Sequence, residues 1–474
     1  MKVATTRRTK IVVTLGPALQ EAGRLREALE AGADVVRINL SHTTLDELGA
    51  WLQRVDGLEA ELQRPVGVML DTKGPEVRLT GVPSPGIALK AGASFAVGEP
   101  GGPAVDWPEW TQWLSVGMAL EFGDGEAVAE VVSVDPPTVR LQVIQGGQLA
   151  PGKKVSPRAG TWPLPPLSPF DRAALEAAGA RADFLAVSFV RGPEDLRQVR
   201  QWLATRGLSP QLVAKMETRR AVERLDAILD EADAVMVARG DLGVECSPVE
   251  VPELQKQIIF AASERGVPVV TATQMLESMV EHPVPTRAEA TDVANAIWDG
   301  SDAVMLSEET AVGRYPVEAI RTLAELAARA DQAAQYRHRI PLKPQSVAEA
   351  VAWAACAIAD TLGVDAILTP TESGATARSV SRYRPAPPVA GLSPHRHVLR
   401  RLTLWWGITP IPMEPAQSSD DMMNAAVTAA VRRGMVAEGD RYILTAGVPF
   451  GTPGSTNLLR IESVSAPMPT PGAP

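Results

Sequence analysis

Residues 212–241 read "LVAKMETRRAVERLDAILDEADAVMVARGD". "LVAKM" is a short apolar run broken by one lysine. Apolar residues then recur at helical spacing through "AVERLDAILDEA", and "AVMVARGD" is a second apolar run. Apolar strands on either side of an amphipathic helix describe parallel strands covered by helices. Along an extended chain residues i and i+2 share a face, so Lys215 and Glu217 emerge side by side and Met216 points away. Taken alone, the stretch fits both an ion pair at a strand end and a catalytic site.

The pattern recurs on both sides. "IVVTLG" (11–16), "DVVRINLS" (34–41), "VGVMLDTKG" (66–74), "FLAVSFV" (184–190), "VVTATQM" (269–275) and "AVMLSEE" (303–309) bring the count of such runs to eight. Eight parallel strands alternating with helices close a (β/α)8 TIM barrel. Six runs end in polar residues: Arg37, Asn39 and Ser41; Asp71, Thr72 and Lys73; Lys215 and Glu217; Arg239 and Asp241; Thr273 and Gln274; Ser307 and Glu309. In a barrel these C-terminal ends share one mouth, where such folds place their chemistry.

The regularity stops after Arg78. Residues 79–162 are rich in Gly and Pro, with short alternating segments such as "EAVAEVVSVD", and predict a small β domain inserted after the third strand. A second change near Pro341 introduces a further α/β pattern. The expected architecture is a barrel built from 1–78 and 163–341, an inserted β lid over 79–162, and a C-terminal α/β domain over 342–474.

The net charge of −10 and a pI near 5.3 argue against nucleic acid or an anionic membrane as the main partner. Cys246 and Cys356 are far apart and form neither a zinc spacing nor a disulfide framework, so a cytoplasmic protein is expected. No run predicts a signal peptide or a spanning helix, and the Pro-rich end "SAPMPTPGAP" predicts a disordered tail.

Glu217 and Asp241, read as the ends of neighbouring strands, can converge on one hard cation. Two carboxylates with open positions suit Mg²⁺ or Mn²⁺, whereas zinc would call for nearby His or Cys. Two separate ion-pairing acids is the alternative. Lys215 beside such an ion suits a transferring phosphoryl group or an enolate. By the same alternation Arg37, Asn39 and Ser41 share a face. Arg37 and Arg78 suit phosphate oxygens, and Asn39, Ser41, Asp71 and Thr72 offer oxygens to a monovalent cation; hydrogen bonding within the rim fits each of these alone. "GTPGST" (451–456) lacks the lysine and spacing of a P-loop, and no G-x-G-x-x-G follows a strand. Trp107, Trp110 and Trp113 read as packing residues, and His42 as a rim hydrogen-bonder.

"TKIVVTLGPA", "RINLSH", "LDTKGPEVR", "VAKMET", "VARGDLGVE", "TATQMLESM", "PTRAEATDVANAIWDGSDAVMLSEETA", "TESGATARSVSRYRP" and "GTPGSTNLLRI" occur in this order over nearly the whole chain. Together they resemble the pyruvate kinase family. The resemblance implies a barrel with an inserted lid and a C-terminal regulatory domain, and glycolytic phosphoryl transfer from phosphoenolpyruvate to ADP. It implies that Glu217 and Asp241 hold Mg²⁺, that Lys215 stabilises the transferring group and the enolate, and that Arg37 contacts phosphate. Thr273 is implied beside the enolate carbon, with Gly240 and Asp241 at the substrate carboxylate and Arg78 and His42 at the nucleotide. Asn39, Ser41, Asp71 and Thr72 are implied as the K⁺ site, with Glu76 the residue associated with K⁺ dependence. Thr371, Ser373, Gly374 and Thr376 are implied in binding a phosphorylated effector, and a homotetramer is implied.

Three departures stand out. "LSEETA" has Glu308 where the family usually has glycine, which suggests a loss of backbone freedom at the rim. "GPAL" replaces "GPAS", and "SPRAGTWPLPPLS" alters the return from the lid. Two other readings are a metal-dependent lyase acting on pyruvate enolates and a metabolite-binding paralogue of low activity. "LDTKGPE" counts against the first, and Glu308 motivates the second.

Overall fold

Eight short strands are hydrogen-bonded in sequence order and all in parallel: Lys10–Thr14 (β1), Val35–Asn39 (β2), Gly67–Asp71 (β3), Phe184–Val187 (β4), Gln211–Met216 (β5), Ala234–Ala238 (β6), Val269–Ala272 (β7) and Ala303–Leu306 (β8). β8 returns to β1 through Lys10↔Ala303 to Val13↔Leu306, so the sheet closes into a barrel. This computed structural model describes residues 7–123, 125–158, 162–336, 342–448 and 456–465. The Pro-rich end beyond Ser465 and most of "GTPGST" lie outside the described residues.

Every residue of β1 and of β3 to β8 is buried, as strands covered on both faces require. Between strands, amphipathic helices such as Leu45–Leu62 and Pro316–Gln332 turn their apolar sides inward. The first of these helices starts with a capping box, the Thr44 side chain accepting from the Glu47 N–H while Glu47 reaches back to the Thr44 N–H. Gly16, just beyond β1, is required by close approach: a Cβ there would lie 2.5 Å from the carbonyl oxygen of Ala311.

By compactness the chain forms two units, Lys73–Ser168 and the remainder. The first contains the segment expected as an insert. It holds a seven-stranded antiparallel sheet, ordered Ser94–Val97, Thr138–Gln145, Ala127–Asp135, Ala119–Phe122, Lys154–Pro157, Val77–Thr80 and Ala104–Val105. Trp107, Trp110 and Trp162 are buried in its core, and the indoles of Trp107 and Trp162 donate to the carbonyls of Glu76 and Val155. They are packing residues.

The second unit joins the barrel to a five-stranded α/β domain. Its sheet runs Ile408–Pro412, Val389–Ser393, Ala366–Pro370, Arg441–Gly447 and Thr456–Ser463, with only the last strand antiparallel. The two parts of this unit share buried polar contacts. Lys10 Nζ donates to the Ile408 carbonyl at 2.6 Å. Glu59, buried at the foot of the barrel, accepts from Arg181, Arg396 and Arg400.

Candidate active site

The C-terminal ends of β2, β3, β4 and β5 bring a tight group of charges together. Register pairs Arg37 with Met69 and Asn39 with Asp71 across β2 and β3, which sets the Arg37 and Asp71 side chains side by side. Arg37 Nε donates to Asp71 Oδ2 at 2.6 Å, and its Nη1 donates to Thr14 Oγ1 at 2.9 Å. Lys215 Nζ lies 3.1 Å from Asp71 Oδ1, 2.8 Å from Glu217 Oε1 and 2.9 Å from Ser188 Oγ. Those three acceptors match the three donors of an ammonium. The alternation expected for Lys215 and Glu217 is therefore present.

All four charged groups are buried, with exposures of 9% for Arg37, 8% for Lys215 and 1% each for Asp71 and Glu217. Two cations and two anions leave the group formally neutral, so a phosphate dianion entering with a divalent cation would add no net charge. Burial opposes ionisation of Asp71, but Lys215 and then Arg37 outweigh it and hold its carboxyl below the usual range. Burial likewise opposes the charge on Lys215. Asp71 and then Glu217 overcome it and keep the ammonium firmly protonated. Glu217 is left with the cost: burial, with Asp241 adding to it, pushes its carboxyl up to about 7 against the pull of Lys215.

The two oxygens of Glu217 are held differently. Oε2 accepts from the Phe189 N–H at 2.6 Å. Oε1 is fully buried and is paired with Lys215 Nζ at 2.8 Å, which occupies one of its two lone pairs. A buried carboxylate oxygen with an unused lone pair fits a ligand to a hard cation. Asp241 is placed differently from the strand-end expectation. β6 stops at Ala238, and Asp241 sits exposed in the first turn of the helix Arg239–Glu245. The helix takes over because Arg239 turns away from the strand line to donate to the carbonyls of Ala272 and Thr273 and to Asp292 Oδ2. The charge on Asp241 still acts on Glu217. Among the described residues no cluster holds three or more His, Cys, Asp or Glu in metal-binding positions.

Thr273 follows β7 with φ at 63°, and Gln274 follows it with φ at 54°. This left-handed pair costs backbone energy and brings the Thr273 hydroxyl against Gly240. It accepts from the Gly240 N–H at 2.9 Å and donates to the Ala272 carbonyl at 2.6 Å. Gly240, Asp241 and Thr273 are thus one connected set.

The strand alternation fails at Ser41. β2 ends at Asn39 and the chain turns, with the His42 N–H donating to the Asn39 carbonyl. Ser41 and His42 are exposed, and Asn39 Oδ1 accepts from the Ser41 N–H at 3.1 Å. Thr72 is buried and its hydroxyl accepts from the Ser188 N–H. Arg78 belongs to the Lys73–Ser168 unit, where its guanidinium donates to Glu76 Oε2 and to the Gly152 carbonyl. Glu308 is exposed and helical, in Glu308–Ala311. Its position therefore needs no glycine-like backbone, contrary to the expectation from "LSEETA", and the neighbouring Glu309 is the buried one, capping the N–H groups of Leu276 and Ser307.

In the C-terminal domain Thr371 and Thr376 are buried. Thr371 Oγ1 accepts from the Gly374 N–H, and Thr376 Oγ1 lies 2.8 Å from Thr456 Oγ1. Ser373 is exposed, and Gly374 takes a left-handed φ of 84° before the helix Ala375–Ser381. Glu372 pairs with His395 Nε2 at 2.6 Å.

Two residues of the charged group escaped the sequence reading: Ser188 and Thr14. Both are the last polar residues of otherwise apolar runs, and that was the available signal.

Comparison with known proteins gives the family. Residues 6–320 match the family described as pyruvate kinase, barrel domain, and residues 349–462 match pyruvate kinase, alpha/beta domain. A pyruvate kinase of Geobacillus stearothermophilus is 41% identical over 97% of this chain and 81% of its own length. One from Methylorubrum extorquens is 40% identical over 97% and 98%, and one from Bacillus licheniformis 38% over 97% and 80%. The chain belongs to the pyruvate kinase family of phosphotransferases.

Proposed function

We propose that Lys215, Arg37, Glu217, Asp241 and Thr273 carry the transfer of a phosphoryl group from phosphoenolpyruvate to ADP. The observation that carries this reading is the buried Lys215 ammonium held between the carboxylates of Asp71 and Glu217. In the reaction the bond from the enol oxygen to phosphorus breaks, and a bond from phosphorus to a β-phosphate oxygen of ADP forms. The enolate then takes a proton at carbon from a water molecule to give pyruvate.

Lys215 faces the negative charge that moves from the phosphoryl group to the enol oxygen. Arg37, oriented by Asp71 and Thr14, offers its remaining N–H groups to phosphate oxygens. Glu217 and Asp241 would hold Mg²⁺ or Mn²⁺, which when bound neutralises charge on the phosphoryl oxygens. The first-turn N–H of Asp241 lacks an intrahelical partner and suits the substrate carboxylate. Thr273 holds a hydroxyl near the carbon to be protonated. For K⁺ the supporting observation is the junction of Asn39 with Asp71 across two strands, followed by Ser41 and Thr72. Arg78 and His42 are proposed for the nucleotide. A phosphorylated effector is proposed at Ser373 and Gly374, with Thr371 and Thr376 shaping the loop; the carboxylate of Glu372 in that loop opposes an anion. A cytoplasmic homotetramer is proposed by family likeness, and no described helix is long and apolar enough to cross a membrane.

The test is coupled measurement of pyruvate release from phosphoenolpyruvate with ADP, Mg²⁺ and K⁺. Turnover that needs all three supports the reading, and none above background across several nucleoside diphosphates contradicts it.

A further inference from the structure

The end of β4 carries no charge, yet it touches every charged residue at the centre of the site except Arg37. Ser188 is 2% exposed. Its Oγ accepts from Lys215 Nζ at 2.9 Å, donates to the Thr72 carbonyl at 2.7 Å and lies 3.3 Å from Asp71 Oδ1. Its N–H is fixed in turn by Thr72 Oγ1 at 3.0 Å. The next residue, Phe189, has φ at 53°, a left-handed conformation rare for an aromatic residue, and its N–H donates to Glu217 Oε2 at 2.6 Å. Strain of that kind persists only where the surroundings over-determine it.

We infer that the Ser188–Phe189 corner is a positioning element that aims Lys215 and Glu217 at the reacting group, the hydroxyl of Ser188 setting the direction of the ammonium. Lys215 has three donors and three partners, two of them carboxylates. Ser188 is the neutral one. To bind a transferring phosphoryl oxygen the ammonium must release one partner, and releasing a hydroxyl costs less than separating a buried charge pair. The hydroxyl is itself pinned to Thr72, so Lys215 returns to the same place after each turnover. Meanwhile the backbone of Phe189 holds one oxygen of Glu217 and leaves the other beside Lys215, with a lone pair that a cation can use. This inference rests on the phosphoryl-transfer reading of the site.

The experiment compares wild-type protein with Ser188→Ala by steady-state kinetics, thermal melting and Mn²⁺ binding followed by electron paramagnetic resonance without substrate. A hydrogen bond to a charged group is worth about one to two decades in rate when lost at the reacting centre. The expected result is a kcat lowered about 10-fold to 100-fold, with KM for phosphoenolpyruvate and Mn²⁺ affinity within about threefold, and a melting temperature lowered by no more than about 4 °C. A kcat within twofold of wild type would overturn the inference. So would a parallel loss of KM, Mn²⁺ affinity and melting temperature, because that is what a purely structural serine would give. Wild-type protein without turnover would instead remove the phosphoryl-transfer reading, and the positioning role with it.

Discussion

Replacing Lys215 with alanine removes one positive charge from a site that is formally neutral. Its Nζ lies within 3.1 Å of three acceptors, and a phosphoryl oxygen taking the place of Ser188 would stand at a similar distance. A unit charge pair near 4 Å at an effective dielectric of 20 is worth about 4 kcal/mol. That corresponds to about a thousandfold in rate if it is realised only as charge moves to the enol oxygen. The fold should tolerate the change. Asp71 keeps Arg37, and Glu217, whose carboxyl already sits near 7, can take a proton once Lys215 is gone. We therefore expect kcat to fall about 10³-fold while KM for phosphoenolpyruvate changes by less than about fivefold, since Arg37 remains to bind phosphate. Steady-state pyruvate release by the purified variant, with a melting curve to establish folding, gives both numbers. A kcat within tenfold of wild type would refute the role of Lys215. A large KM change at unaltered kcat would show that it serves binding alone.

Mn²⁺ affinity measured without substrate should weaken as pH falls from 8 to 6, by about tenfold per unit below 7. The carboxyl of Glu217 is raised to about 7, so below that pH the cation must displace a proton; a flat profile would contradict its place as a ligand. K⁺ should raise turnover over a buffer whose only monovalent cation is tetramethylammonium, and equal rates would remove the site proposed at Asn39, Ser41, Asp71 and Thr72. Glu59→Ala should lower the urea midpoint and melting temperature, with a cost of about 3 kcal/mol, because Arg181 and Arg400 lose a buried carboxylate between barrel and C-terminal domain. An unchanged urea midpoint would show that the remaining acceptors, Asp56 for both arginines and Asp183 for Arg181, satisfy them without Glu59.

The barrel was legible because its strands are buried almost throughout and read as short, mostly apolar runs. Lys215 and Glu217 were legible because β5 runs to Met216 and the chain stays extended enough for Glu217, one residue on, to lie beside Lys215. The reading failed where strands stopped early. Ser41 lies past the end of β2 in a turn, and Asp241 lies past the end of β6 in a helix, so neither obeys a period of two. Strand ends are set by tertiary hydrogen bonds, such as those of Arg239 to the segment after β7, and periodicity does not carry that information. Ser188 was hidden by chemistry rather than geometry. A hydroxyl closing an apolar strand looks like any satisfied core serine until Lys215, 27 residues later, is found against it. The concern over Glu308 arose from reading a residue type as a backbone need, and the helix beginning there dispels it.

The most direct test of the whole account is ³¹P nuclear magnetic resonance of phosphoenolpyruvate and ADP with Mg²⁺, K⁺ and either wild-type protein or Glu217→Gln. With wild type, loss of the enol phosphate signal should be matched by growth of the γ-phosphate of ATP, and Glu217→Gln should abolish that growth. Inorganic phosphate appearing in place of ATP, or full transfer by Glu217→Gln, would contradict it.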